Sequence, residues 1–359
     1  MQQIRVRKEM PSAELSKREF VQRFHNRFFD PAFEPMRGEI AKLADIAWDG
    51  YSNSRKSPRV HPIGPGFADP TYDVSVEWLA TRAAIDIAEK QNKDSSEATS
   101  ILIINGATRS EHTCPGETSK TFRLATMARQ VIEAEANFDI RFLDLSRLAS
   151  EYERVIYPCK TCVSTAMPLC HWPCSCYPNH SLGQVNDWMN EIYPLWVRAH
   201  GIMIVCPVNW YQAPSSLKLM IDRLVCADGG NPDPSSTHGK DPEKAKALEL
   251  QGWSYPRHLA GRVFAVVTHA DAEGANPLCE MISEWLESMG LIGAGPKTQV
   301  GRYIGYMRPY AISHEDLDQD LAVQEEVRNA ARALVEAVRM RRRGELKQPG
   351  GNLRDPRPK

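Results

Sequence analysis

The chain has 359 residues, of which 42% are hydrophobic, and its formal net charge at pH 7 is −1. This length accommodates one large domain with additions or two domains, and the near-neutral charge argues against a nucleic-acid-binding or membrane-surface protein. Because the first ten residues are too charged for a signal peptide and no apolar run is long enough to span a membrane, we expect a cytoplasmic protein whose nine cysteines are mostly reduced.

Residues 1–98 precede the first strongly apolar strand and have a character of their own. Amphipathic spacing predicts helices over 13–29 and 33–48 and a third helix over 74–88, with a Pro- and Gly-rich extended stretch at 55–72. Three short helices bury too little apolar surface to stand as a domain. We therefore expect an arm that wraps a partner subunit, and an arm that wraps its own core is the alternative.

The first core strand is the apolar run ILIIN at 101–105, and a hydroxyl-rich loop follows it. This loop runs into a helix predicted over 119–136, whose first-turn N–H groups and dipole favour an anion. Hydroxyl and cationic donors surround that position: Thr108, Arg109, Ser110, Thr118, Ser119, Lys120 and Thr121. The pattern predicts a phosphate site without the GxGxxG or P-loop signature, and the alternative for Ser119 is a simple helix N-cap.

Five cysteines lie close together after a second strand predicted over 138–143: Cys159, Cys162, Cys170, Cys174 and Cys176. Grouped thiolates can hold zinc or an iron–sulfur cluster, and His171 adds a nitrogen ligand. The spacing is irregular, however, and four ligands would have to converge from a loop. We favour buried or redox-sensing thiols, and a bound metal or cluster is the alternative. Cys206 and Cys279 are predicted to be small core residues.

A third apolar strand, GIMIV at 201–205, is followed by Pro207, which cannot continue a strand ladder. The ligand crevice of an open α/β sheet lies at the carboxyl ends of such strands. Asn209, Trp210 and Tyr211 then offer flat surfaces and polar edges to a ring system. The pattern indicates a ligand loop, and a loop packed only for stability is the alternative.

Residues 228–260 interrupt the passage to the next apolar strand, which is predicted over 261–269. The Gly-, Pro- and Ser-rich start and the short helical middle suit a lid or substrate-binding insertion, with a plain surface loop as an equal alternative. Trp253, Tyr255 and His258 are its candidates for contact with a substrate.

Four elements are predicted after this strand. They are a helix over 278–289, a last strand within 299–307, one long helix over 316–343 with a solvated basic end, and a disordered tail from 344.

Together these segments resemble the NAD(P)H-dependent FMN reductases and flavodoxin-like quinone reductases over about 101–291. The resemblance lies in ILIINGATRS with TSKT, in NDWMNEIYPLWVRAHGIMIV, in CPVNWYQAPSSLKLMIDRL and in GRVFAVVTHAD. It implies an α/β, flavodoxin-like, doubly wound five-stranded parallel sheet in the order 2-1-3-4-5. The expected parts are an N-terminal helical arm at 1–98, an FMN-binding domain at 99–312 with the insertion at 228–260, a C-terminal helix at 313–343 and a disordered tail at 344–359.

The resemblance also implies FMN as the cofactor and assigns residues to both of its ends. The phosphate would contact Thr108, Arg109, Ser110, Ser119, Lys120 and Thr121. The ring would lie against Pro207, Val208, Asn209, Trp210 and Tyr211, with Thr268, His269 and Ala270 closing its other edge. The stretch 111–117 looks longer than is usual in the family, so which hydroxyls contact the phosphate stays open.

The implied activity is hydride transfer from NAD(P)H through FMN to a small acceptor such as a quinone, a nitro compound or free flavin. No catalytic residue and no metal ligand are assigned, although His269 or Tyr211 could donate a hydrogen bond to the acceptor. The cysteine loop also resembles that of iron–sulfur flavoproteins, so an electron-transfer iron–sulfur flavoprotein is one alternative. A non-enzymatic flavodoxin-like redox sensor is the other. The expected partners are a small-molecule acceptor and further copies of the chain, in a homodimer or homotetramer.

Overall fold

The computed structural model describes residues 15–52, 59–110, 119–177, 179–180, 185–309 and 312–346, with backbone alone at 179–180 and 185–186. Most of the tail predicted to be disordered, together with Thr118 and the long stretch 111–117, lies outside these ranges. Among the described helices, none is both long and apolar enough to cross a membrane.

The described elements, in chain order, comprise ten strands and eleven α-helices, besides five short 3-10 helices. The strands are β1 (Val60–Pro62), β2 (Asp73–Ser75), β3 (Thr99–Asn105), β4 (Phe138–Asp144), β5 (Asn179–His180), β6 (Val185–Asn186), β7 (Gly201–Pro207), β8 (Val263–Ala270), β9 (Ile292–Gly293) and β10 (Gln299–Tyr303). The helices are α1 (Lys17–His25), α2 (Arg37–Ser52), α3 (Val76–Lys93), α4 (Lys120–Glu133), α5 (Arg147–Ser150), α6 (Met189–Arg198), α7 (Ser215–Arg223), α8 (Pro242–Leu250), α9 (Ala275–Ser288), α10 (Ser313–Gln319) and α11 (Leu321–Arg342).

The central sheet is parallel, and its strands lie in the order β4-β3-β7-β8-β10. Counted from β3, this is the order 2-1-3-4-5, so the predicted flavodoxin-like fold is confirmed. The short strand β9 pairs with the start of β8 as an addition. In the middle of the sheet, Ile103 pairs with Phe142 on one side and with Met203 on the other.

Helices cover both faces of the sheet. The central strands are therefore buried on both sides, which explains why their sequences are continuously apolar. One core contains Leu102 and Ile104 of β3 and is closed by α3, α6, α7 and α9. The other contains Ile101 and Ile103 of the same strand and is closed by α4 and α11. Alternate side chains of one strand therefore enter different cores, and Cys206 and Cys279 lie in the first of them, as predicted.

The first three helices divide into two groups. Helix α1 begins with a capping box at Ser16 and packs against α2, where Phe20 is buried beside the rings of Trp48 and Tyr51. Helix α3 instead packs on α6 and buries Trp78. The extended stretch between the groups includes a short hairpin, β1 with β2, that the sequence did not predict.

The prediction of one long C-terminal helix over 316–343 is wrong. The helix is interrupted at Asp320. The side chain of Asp320 accepts the N–H of Val323 at 2.9 Å and so caps a new helix, α11. The basic end of α11 is not merely solvated either. Arg342 donates to Thr99 Oγ1 at 2.6 Å and Arg339 pairs with Glu135 at 2.8 Å, so these arginines fasten α11 to the start of β3 and to the segment after α4.

Candidate functional site

A cavity of about 240 Å³ lies at the carboxyl edge of the sheet, where β3, β7 and β8 end. Its wall contains most of the residues predicted to bind the cofactor: Thr108, Arg109, Ser119, Lys120, Thr121, Pro207, Val208, Asn209, His269 and Ala270. The topology thus brings together three segments that are 60 or more residues apart in the sequence. Four predicted residues, Ser110, Trp210, Tyr211 and Thr268, do not line this cavity.

Gly106 sets the course of the first loop as it leaves β3. Its N–H donates to Val205 O at 2.8 Å, and Ser216 Oγ of α7 donates to its carbonyl at 3.3 Å. A Cβ at this position would lie 2.8 Å from Cys206 Cβ and 2.9 Å from Leu217 Cδ2. Only glycine therefore lets α7 approach the loop that carries Thr108 and Arg109 to the cavity.

The start of α4 forms one wall of the cavity. Ser119 Oγ accepts the N–H of Phe122 at 3.2 Å, so the N-cap alternative considered for Ser119 is realised. Thr121 Oγ1 lies 2.7 Å from His269 Nε2 and links α4 to the end of β8. This hydroxyl is thus already engaged with the protein.

Lys120 is 6% exposed, and its ammonium group has three protein partners. It pairs with Asp271 and donates to Ile304 O and Ser313 Oγ, both at 3.0 Å. An ammonium group has three N–H donors, and these contacts account for all of them. Lys120 therefore joins α4 to the segments after β8 and β10, and its direct contact with a phosphate stays a prediction.

His269 contributes a neutral ring to the cavity wall. Complete burial, together with the nearby charge of Lys120, lowers its pKa to about 3. Its Nδ1 atom is buried and has no hydrogen-bond partner among the described residues. An unsatisfied buried ring nitrogen is costly, and a polar atom of a bound ligand would relieve that cost.

Residues 209–212 form a tight turn beside the cavity. Asn209 N–H donates to Gln212 O at 2.9 Å, and Gln212 N–H donates to Asn209 O at 3.0 Å. Trp210 and Tyr211 at its tip have φ values of 50° and 66°, in the left-handed region that bulky residues rarely adopt. Their side chains are 94% and 67% exposed. The turn therefore presents both aromatic rings to solvent next to Val208 and Asn209.

Thr268 and Ser110 do not line the cavity, and their contact with a cofactor stays a prediction. Thr268 is fully buried and donates from Oγ1 to Ala275 O at 2.7 Å, so it faces α9. Ser110 is also buried, outside the wall of the cavity.

The cavity wall also contains Ala107 and Asp271, which the sequence analysis did not select. Asp271 comes directly after the buried strand β8 and is the partner of Lys120. An acidic residue at the carboxyl end of a core strand was the signal that could have identified it.

The cysteine loop does not form a metal centre in the part of the chain that the structure describes. No three His, Cys, Asp or Glu side chains there are arranged so that they could hold a metal ion. Within the loop, Cys162 Sγ and Cys176 Sγ lie 3.6 Å apart.

No residue of the insertion lines the cavity, and its contact with a substrate stays a prediction. Trp253 donates from Nε1 to Gly229 O at 2.7 Å, and His258 Nε2 lies 2.9 Å from Gly230 O. His258 also stacks on Trp172, at 4.8 Å between ring centroids. The two hydrogen bonds lie within the insertion, and the stacking on Trp172 joins it to the cysteine loop. Trp253, Tyr255 and His258 do not line the cavity.

Comparison with known proteins gave one family match and several structural matches. The model of the family described as NADPH-dependent FMN reductase matches residues 99–294. No curated protein matches the chain.

Solved structures similar to this chain include RosB with a bound intermediate, 8-demethyl-8-formylriboflavin-5'-phosphate. The identity is 14% and the TM-score 0.47, over 69% of this chain and 82% of that one. The apo form of the NADH:FMN oxidoreductase EmoB is 15% identical with a TM-score of 0.36, over 71% and 97% of the two chains. An azoreductase from Bacillus anthracis is 14% identical with a TM-score of 0.33, over 68% and 99%.

Proposed function

The chain belongs to the NADPH-dependent FMN reductase family, and we propose that it passes a hydride from NAD(P)H through FMN to a small acceptor such as a quinone, a nitro compound or free flavin. FMN, when bound, supplies the redox chemistry, so the protein needs only to bind the flavin, orient it and set the charge around it. The observation that carries the proposal is the cavity at the carboxyl ends of β3, β7 and β8.

The two ends of this cavity differ in the groups that they offer. At one end, the start of α4 and the loop after β3 supply Thr108, Ser119 and Arg109 to the wall, two hydroxyl residues and one cationic residue. The positive end of a helix dipole and such donors suit a phosphate. The buried charge of Lys120 adds to the positive potential there, although Asp271 partly compensates it.

At the other end, Pro207, Val208 and Asn209 form a surface that suits a flat ring system. Val208 N–H donates to His269 O at 2.8 Å, which fixes this segment against β8. We propose that the ring lies between this segment and residues 269–270, and that Trp210 and Tyr211 contact the ring or the nicotinamide from the rim. Because His269 is neutral, it would orient a ligand by a hydrogen bond and would not supply a charge.

A test begins with the visible absorption spectrum of the purified protein after addition of FMN. We expect a two-band flavin spectrum that bleaches anaerobically when NADPH or NADH is added and returns when a quinone is added. Riboflavin, which lacks the phosphate, should bind at least about tenfold more weakly, since a charge-assisted phosphate contact is worth on the order of 1.5–3 kcal/mol.

Matched variants locate the phosphate end. Thr108→Val removes a hydroxyl from the cavity wall while keeping the side-chain shape, and should reduce the preference for FMN over riboflavin. Thr126→Val makes the same change on α4, where the hydroxyl donates to Phe122 O at 2.8 Å and does not line the cavity. A protein that takes up no flavin, or one that shows no preference for FMN, would contradict the proposal.

A further inference from the structure

We propose that Cys162 and Cys176 form a redox-active dithiol that closes to a disulfide when the protein meets a hydroperoxide. The inference does not depend on the flavin cavity, because neither cysteine lines it. It rests on the distance between the two sulfurs, on a lysine placed beside one of them, and on the difference in burial between the two.

The two sulfurs are 3.6 Å apart. A disulfide bond is about 2.05 Å long, so the atoms must approach by only about 1.5 Å. Cys162 begins a short 3-10 turn, Cys162–Ser164, and Cys176 lies in the irregular segment before β5, so neither sulfur is held inside a long helix or strand.

Lys240 of the insertion contacts the cysteine loop through its ammonium group. Its Nζ lies 3.9 Å from Cys162 Sγ and donates to Leu169 O at 2.8 Å. Burial alone would lower the pKa of Lys240, but the surrounding cysteines raise it, so the group stays cationic. A fixed cation beside a sulfur favours the thiolate form of that sulfur.

Cys162 is the thiol that this environment activates. A hydrogen bond from Cys176 is the main influence that lowers the pKa of Cys162 to about 7, and the charge of Lys240 adds to it against burial and the thiols of Cys170 and Cys174. Burial raises the pKa of Cys170, while a hydrogen bond with Cys176 and burial raise that of Cys174, so these two stay protonated. Cys162 is partly exposed and Cys176 is buried, which makes Cys162 the attacking sulfur and Cys176 the resolving one.

The reaction balances with a hydroperoxide as the oxidant. The Cys162 thiolate attacks one peroxide oxygen, an S–O bond forms, the O–O bond breaks, and the departing alkoxide takes up a proton. The sulfur of Cys176 then attacks the resulting sulfenic acid, the S–S bond forms and water leaves. Two thiols have lost two electrons and two protons, the hydroperoxide has become an alcohol and water, and a dithiol reductant reverses the change.

The test uses the full-length protein and one equivalent of hydrogen peroxide, followed by denaturation and alkylation with N-ethylmaleimide. Of the nine cysteines, we expect seven to be alkylated after oxidation and nine before it. Chymotryptic cleavage after Leu169 separates Cys162 from Cys176, so the mapped disulfide should join the two fragments. In Cys176→Ser, a sulfenic acid on Cys162 should persist and be trapped by dimedone.

Five further variants complete the test, two that should impair the disulfide and three matched controls. Cys159→Ser and Cys174→Ser change neighbouring thiols and should leave the disulfide intact, whereas Cys162→Ser should abolish it. Lys240→Gln should slow disulfide formation at pH 7 severalfold and move its pH midpoint upward, while Lys244→Gln, an exposed lysine of the same insertion, should change neither.

Three results would overturn the proposal. They are retention of nine free thiols after oxidation, a disulfide that maps to Cys174 and Cys176, and an equivalent of zinc or iron that protects these thiols in the purified protein. The mapping of the wild-type protein decides the first two even if a variant does not fold.

Discussion

Among the single residues of the candidate site, Trp210 and Tyr211 occupy its most strained backbone. Left-handed φ values in bulky residues cost on the order of 1–3 kcal/mol each. Here the paired hydrogen bonds between Asn209 and Gln212 impose them, and the bond from Val208 N–H to His269 O anchors the turn. Because both rings are largely exposed, no packing of their own compensates for this strain. The turn therefore holds two exposed aromatic rings next to Val208 and Asn209, which line the cavity.

Trp210→Ala should weaken FMN binding about two- to tenfold, because an aromatic contact contributes about 0.5–1.5 kcal/mol. The free energy of unfolding should change by less than about 0.5 kcal/mol, since the side chain is 94% exposed. Flavin fluorescence titration and urea denaturation measure the two quantities. Tyr152→Ala, which removes an aromatic ring that is 90% exposed and does not line the cavity, is the control and should leave FMN affinity unchanged. Equal affinity of Trp210→Ala and the wild type would rule out a contact with the flavin.

His200 should make the protein less stable in mild acid. Its Nδ1 accepts the N–H of Ser100 at 3.0 Å and its Nε2 lies 2.9 Å from Asn92 O, a pair of contacts that requires the neutral ring. Burial, followed by the charge of Arg342, lowers the pKa of His200 to about 4, whereas an unfolded histidine titrates near 6.5. Between these values the unfolded state binds more protons, so this contribution to stability is complete above about pH 6.5 and is lost as the pH falls towards 4.

Urea denaturation between pH 7.5 and 4.5 measures this effect. The slope from one histidine is at most about 1.4 kcal/mol per pH unit, and partial exposure of His200 reduces it. His200→Gln should flatten the profile relative to the wild type, and His61→Gln, at an exposed position, should not. Burial also lowers the pKa values of His258 and His269. Their effect on stability has the same sign and is the same in every variant, so it cancels when the profiles are compared. Parallel profiles for the wild type and His200→Gln would contradict the prediction.

Among the elements, those that bury an apolar run on both faces could be predicted from the sequence. The strands β3, β7 and β8 follow continuous Ile-, Val- and Met-rich segments, and their order follows from the family resemblance. The break at Asp320 could not be predicted, because an aspartate is as compatible with an exposed helical position as with a cap. The partners of Lys120 could not be predicted from the sequence either. Ile304 and Ser313 are more than 180 residues away, and only the tertiary fold brings them near.

Gly106→Ala should destabilise the junction between β3, β7 and α7. The new Cβ would lie within 2.9 Å of both Cys206 Cβ and Leu217 Cδ2, and overpacking of this kind costs about 1–3 kcal/mol. Gly38→Ala is the matched control, because a Cβ there meets no atom within 4 Å and the residue lies in α2. That control should be neutral or stabilising by up to about 1 kcal/mol.

Urea denaturation and FMN titration report on the two glycine variants. Since the loop that carries Thr108 and Arg109 starts at Gly106, Gly106→Ala should also weaken FMN binding, whereas Gly38→Ala should not. A Gly106→Ala protein as stable as the wild type would show that α7 can move away from the loop without cost.

At the scale of the whole molecule, the first two helices and the turn between them leave large apolar side chains exposed. Phe29 is 87% exposed, Ile46 is 66% exposed and Leu43 is 50% exposed, although Leu43 and Ile46 lie on one helix, α2, that also packs against α1. The sheet and both of its helix layers are built from residues after 75. The first two helices therefore add exposed apolar area that the flavodoxin-like body does not need for its own core, which fits an arm that contacts another subunit.

Removal of residues 1–58 should therefore lower the oligomeric state without loss of the flavin site. We expect light scattering coupled to size-exclusion chromatography to give a homodimer or homotetramer for the full chain and a smaller assembly for the truncated one, with FMN bound by both.

Leu43→Glu with Ile46→Glu in the full chain tests the same surface without removing any backbone, and should reproduce the truncation because two buried charges at an interface are strongly unfavourable. Glu substitutions at Lys42 and Asp49, polar positions of the same helix, are the control. If the truncated and full-length chains assemble alike, the exposed face of α2 serves another purpose, and the assembly must then use the body of the protein.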